Sequence, residues 1–292
     1  MTTTTAPGWA PGLTGRRPRR SEAEIRQRML KTATGLVGEA GLTVSLEHLS
    51  YEVVIQQADV ARSAVYRVWP TKEAFFEDLL YELAGSWQGT GAFDSKTLEL
   101  ALSTVADRAD SLASPSNRRE ALLEAARLGA KRNFEALAEL PQWRTYVAIT
   151  ATVTSLPDGE FRSRLIAKLQ ESEARFLDTM ADFYAKMAAV LGYKLRPGFN
   201  EDFRLLAAIG AAVVEGLSLR QMIAPEIASR TLWIGPFSAS EESDWTIAAF
   251  GFTAIVDAMI EEDPNFDTKR IPGILADLCD DVSRLSKIQG GE

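Results

Sequence analysis

Ala58-Asp59-Val60-Ala61-Arg62-Ser63-Ala64-Val65-Tyr66-Arg67-Val68-Trp69-Pro70-Thr71-Lys72 decides the fold of this 292-residue chain. Val60 and Val65 are spaced to face inward on a short helix, which leaves Arg62, Ser63, Ala64 and Arg67 outward. Pro70 ends that helix, because the residue before a proline is pushed away from helical angles. Thr71 is placed to cap the next helix, with Lys72 and Glu73 in its first turn and Phe75, Phe76, Leu79, Leu80 and Leu83 as its apolar side.

Upstream, Ser21 and Glu24 have the spacing of a capping box. Ile25, Met29, Thr32, Ala33, Leu36 and Val37 then recur on one helical face, and Gly41 ends the helix by tolerating left-handed backbone. After a connection over 42–49, a second short helix is expected from Ser50, with Val53, Val54 and Ala58 inward. Asp59-Val60 makes the turn into the third. Residues 1–20, with Arg16, Arg17, Arg19 and Arg20 around Pro18, have too little apolar surface to fold. They read as a disordered basic arm.

Downstream, helices are expected at 95–112, 117–139, 142–154, 159–191, 199–223, 242–262 and 272–287, separated by prolines and glycines. No alternating stretch argues for a sheet, so the fold class is all-α. Three divisions follow: an arm over 1–20, a three-helix unit over 21–70, and a larger helical body over 71–292.

Composition narrows the function. A hydrophobic fraction of 46% and a charged fraction of 25% are those of a soluble globular protein. No apolar run is long enough to span a bilayer, and no apolar stretch near the start resembles a signal peptide, so a cytoplasmic protein without a membrane partner is expected. One histidine, His48, and one cysteine, Cys279, cannot make a His/Cys metal site. Cys279 reads as a buried structural thiol. No Gly-x-Ser-x-Gly elbow, dinucleotide fingerprint or phosphate loop occurs. A non-enzyme without metal or cofactor is the expectation.

Charge is unevenly distributed. Residues 16–72 hold ten Lys/Arg against six Asp/Glu, a balance of +4, so with −8 overall and no charge in 1–15 the remainder carries −12. A basic head on an acidic body points to nucleic acid at one end only. Three short helices with a basic third one suit a major-groove reader. Arg62 and Arg67 could fork onto guanine, while the small Ser63 and Ala64 permit close approach. Tyr66 is either a phosphate donor or a core aromatic. Ser50, Thr71 and Lys72 sit at helix starts, where phosphate contacts are common. The arginines of the arm either lie along DNA or are simply solvated.

Residues 21–83 resemble the DNA-binding domain of the TetR family of transcriptional regulators. Glu39-Ala40-Gly41, Ala58 to Tyr66, and Trp69-Pro70-Thr71-Lys72-Glu73 carry the likeness. Asp59 departs from the family's turn glycine and Ala61 from its serine cap, and the spacing from Gly41 to the turn is about four residues longer. The resemblance implies a homodimer on a roughly palindromic duplex, a repressor by family habit, whose helical body encloses a small-molecule effector. Segments 199–223 and 242–262, rich in apolar and small residues, are either the dimer interface or core helices. Phe134, Trp143, Tyr146, Phe176, Phe183 and Tyr184 either line an effector pocket or pack the core. An effector-independent DNA-binding dimer, or a helical carrier or enzyme with a retained basic head, remain alternatives.

Overall fold

A computed structural model describes residues 20–42, 49–86 and 95–290. The protein is mostly helical, as expected. The head comprises α1 (Glu22–Ala40), α2 (Tyr51–Gln57), α3 (Arg62–Val68) and α4 (Lys72–Ser86). Ser21 caps α1 through a complete capping box: its hydroxyl accepts from the Glu24 amide and the Glu24 carboxylate accepts from the Ser21 amide. The Ser21 amide and hydroxyl both donate to the Glu24 carboxylate and hold its carboxyl below the usual range, with the backbone bond the larger cause.

The head core is built from Ile25, Met29, Ala33 and Val37 of α1, Tyr51, Val54, Ile55 and Ala58 around α2, Val65 and Val68 of α3, and Phe75, Phe76, Leu79, Leu80 and Leu83 of α4. Two details differ from expectation. The buried side of α2 runs through positions 51, 54, 55 and 58, so Val53 points outward and is 41% exposed. The packing of α4 is shared with α1–α3, and Ala148, Ile149, Val153 and Leu165 from further along the chain join the same core.

The body comprises α5 (Ser95–Ala106), α6 (Pro115–Glu139), α7 (Pro141–Ser155), α8 (Glu160–Leu191), α9 (Phe203–Gln221), α10 (Pro225–Ala228), α11 (Ile247–Met259) and α12 (Ile271–Gly290). Gly192 ends α8 at φ 74, a left-handed cap where a Cβ would lie 2.9 Å from the Phe266 ring. Packing of α6, α8, α9 and α11 forms the second core, which includes Phe183, Met187, Leu206, Val214, Phe252 and Val256.

Two small sheets correct the expectation of no strands. β1 (Tyr193–Leu195) pairs antiparallel with β4 (Ile260–Glu262), and β2 (Thr231–Ile234) with β3 (Ser243–Thr246). Segment 242–262 is therefore strand, helix, strand. Trp245 lies in β3 opposite Leu232, and Thr246 caps α11 by accepting from the Ala249 amide at 3.1 Å. Segment 199–223 starts its helix later than expected, because Asn200 and Glu201 have left-handed backbone and Asp202 caps α9. Cys279 is exposed rather than buried: α12 turns Leu278 and Val282 inward, and the cysteine falls one residue out of that phase. No helix among the described residues is long and apolar enough to cross a membrane.

Candidate functional site

The turn between α2 and α3 aims the third helix. Asp59 has φ 51, and its amide donates to Gln56 O at 3.1 Å. An aspartate in this region carries less strain than a bulkier side chain would. Arg20 grips the turn twice, donating to the Asp59 carbonyl and to its carboxylate at 2.9 Å. Arg28 donates to Ala58 O at 2.8 Å. These two arginines thus fasten the turn to the start and middle of α1. Arg16, Arg17 and Arg19, the rest of the expected basic arm, lie outside the described residues, as do Glu47 and His48.

Helix α3 begins at Arg62, with Ala61 as an N-cap that makes no side-chain bond. Val65 is fully buried and holds the helix down, while Arg62, Ser63, Tyr66 and Arg67 are exposed and Ala64 is half-buried. The outward face is the one expected from the spacing of the valines except at Ala64, which packs partly against the head core. Arg62 is not idle: it pairs with Glu52 of α2 at 2.9 Å and its guanidinium lies 5.6 Å from the centre of the Tyr66 ring. The Tyr66 bond and the Glu52 charge both raise its pKa. Tyr66 is 38% exposed and sits edge-on to Tyr51 at 5.9 Å, so part of the ring packs against the head and part meets solvent. Arg67, in the last turn, has no ion-pair partner among the described residues.

Ser50 and Thr71 both cap helices, accepting from the amides of Val53 at 3.4 Å and Ala74 at 3.2 Å. A hydroxyl that accepts at a cap still has its own hydrogen to donate. Lys72 lies over Phe76 at 5.1 Å. Trp69 is buried, and its indole N–H donates to Asp78 at 2.8 Å beneath Arg26. That fixes the joint between α3 and α4.

In the body, a cavity of about 80 Å³ lies among α5, α6, α8, α9 and α11. Of the six aromatic residues considered from sequence, Phe183 and Tyr184 line it. Burial pushes the Tyr184 phenol up strongly. Phe134, Trp143 and Phe176 are buried elsewhere in the core, and Tyr146 stacks on Trp143 at 5.6 Å, so these four fill space instead of bounding it. The remaining wall is mostly small and aliphatic, including Ala126, Gly129, Gly210 and Val214, with Phe203 and Phe252 as further rings.

Large apolar side chains are exposed on elements packed beside one another: Leu205, Ile209 and Leu219 of α9, Ile223 after it, Ile227 of α10 and Phe250 of α11. Trp233 of β2 is 69% exposed. The glycines of this region act inside the chain. A Cβ at Gly210 would meet the Phe252 ring at 2.7 Å, and one at Gly251 would meet Val213 at 2.9 Å, so both let α9 and α11 approach closely. Among the described residues no group of three or more His, Cys, Asp or Glu side chains could hold a metal ion. No protein-family model, curated protein or solved structure matches the chain.

Proposed function

We propose that this protein is a sequence-specific, DNA-binding transcriptional regulator of the TetR type. It acts as a homodimer and is modulated by a small molecule held in the body. The observation that carries the reading is the outward face of α3. Arg62, Ser63 and Arg67 project from a helix anchored by Val65, beside a turn stapled by Arg20 and Arg28. Such a face suits the major groove, where a guanidinium fork reads guanine O6 and N7. Ser50, Thr71 and Lys72 provide donors for the flanking phosphates. Arg62 has to exchange Glu52 for DNA, a small cost for an exposed ion pair.

The exposed apolar side chains of α9, α10 and α11 support a second copy as the partner. A patch of this kind is unusual on a monomer. Pairing the same surface across a two-fold axis would cover both copies at once. Repression is the regulatory sense that the resemblance favours.

Selection of bound duplexes from random DNA tests this function. A paired half-site spaced by about one helical turn is expected. Binding should weaken steeply with salt. Tyr66→Phe combined with Arg67→Ala should reduce affinity by roughly tenfold or more. A failure to enrich any duplex, or affinity unchanged in that variant, refutes the assignment of α3.

A further inference from the structure

Asn133, on α6, lines the body cavity and is only 5% exposed. Its Oδ1 has no hydrogen-bond partner among the described residues. Buried amide oxygens in folded proteins are nearly always satisfied, so an orphan on a side chain that lines a cavity wants a donor from whatever fills it. Thr97 and Tyr184 are the other side chains with hydrogen-bonding atoms on the wall, and a single water held among them would leave most of the space unfilled. The volume of about 80 Å³ compares with the roughly 10–15 Å³ that one water takes.

The remainder of the wall sets the character of the occupant. Among the described residues no Asp, Glu, Lys or Arg lines the cavity. A charged ligand would give up its hydration there and gain no counter-ion. Rings from Phe183, Tyr184 and Phe252 offer flat apolar surface. Gly129, one turn before Asn133, belongs to the same wall, and a Cβ there would make ordinary contact, 3.5 Å from Ala101 Cβ.

We infer that the cavity takes an uncharged, largely aromatic or hydrocarbon molecule that donates one hydrogen bond, from a hydroxyl or N–H, to Asn133 Oδ1. This rests on the effector reading for its regulatory consequence, and on the cavity alone for its chemistry.

The test is calorimetric titration of the full chain, without DNA, using 1-naphthol, 1-methoxynaphthalene and 1-naphthoate. Naphthol should bind about tenfold or more tightly than the methoxy compound, which keeps the oxygen and loses the donor. Naphthoate should not bind. Asn133→Leu, close to the same shape, should erase that preference by weakening naphthol alone. Gly129→Leu, which leaves Asn133 in place and fills the space beside it, should abolish binding of both neutral compounds. The wild-type ligand series and Gly129→Leu keep the test decisive if Asn133→Leu does not fold. Equal affinity for naphthol and the methoxy compound, binding of naphthoate, or no binding by any of the three overturns the inference. Duplex binding is measured in parallel. Naphthol binding by a chain that binds no duplex leaves the cavity chemistry standing and removes the regulator. A duplex-binding chain indifferent to naphthol does the reverse.

Discussion

Glu215 of α9 should make the protein lose stability as pH rises. It is half-buried against Glu173 of α8, and Tyr146 of α7 is near enough to feel both charges. Burial first, and the Glu173 carboxylate second, push its carboxyl from 4.5 to about 7. Burial raises Glu173 as well, and the Tyr146 phenol rises to about 12. Between these pH values the folded state holds a proton that the unfolded state has released. Stability from this group is therefore complete below about pH 4.5 and lost as pH climbs through about 7. A gap of that size, at about 1.4 kcal/mol per unit, amounts to about 3 kcal/mol. Glu215→Gln imitates the protonated acid. Melting temperatures of wild type and variant should nearly agree at pH 5. At pH 8 the variant should melt several degrees higher, at about 2–4 °C per kcal/mol for a domain of this size. If the advantage of the variant does not widen between pH 5 and pH 8, the carboxyl is not held protonated and the account of this three-helix contact is wrong.

Other expectations concern backbone and surface. Asp59→Val forces a β-branched residue into left-handed backbone and should cost about 1–2 kcal/mol, read as a lower melting temperature of the chain; a variant as stable as wild type contradicts the turn geometry. Gly192→Ala places a Cβ against Phe266 and Arg118 at positive φ. A loss of about 1–3 kcal/mol by denaturant titration is expected, and no loss would mean that the cap relaxes freely. Ile209→Arg puts a charge on the exposed face of α9, which should convert a particle of twice the chain mass to a monomer in sedimentation while leaving the helical circular dichroism intact. A wild type already monomeric at micromolar concentration argues against the second copy.

Local chemistry was the most legible part of the sequence. The Ser21–Glu24 box, the Thr71 cap and the left-handed Asp59 follow from short-range rules, and all three occur. Valine spacing likewise oriented α3. The small strands escaped because each spans only three or four residues, too few for a period of two to show. Gly235-Pro236 reads as a helix breaker and in fact belongs to the connection between β2 and β3. Phase errors of a single residue misplaced Val53, on a helix of seven residues, and Cys279, whose weakly polar side chain does not declare its face. The cavity was the least visible feature. Aromatic residues suggested it, yet Phe134, Trp143 and Phe176 fill the core, and the space arises where Ala126, Gly129 and Gly210 leave volume unoccupied. A void is made by what side chains lack, contributed by helices distant in sequence.

Helix α8 has a mechanical consequence. It runs unbroken for 32 residues, without an internal proline or glycine to kink it. Leu165 near one end is embedded in the head core, while Phe183 and Tyr184 near the other bound the cavity. At 1.5 Å per residue those points are about 27 Å apart. A stiff rod of that length turns angle into distance: a tilt of about 5° at the cavity end carries Leu165 sideways by about 2 Å. The head follows, because α4 rests on α8. Displacements too small to notice at the cavity wall thus arrive at the far end with gain, and the stiffness of one helix sets how much.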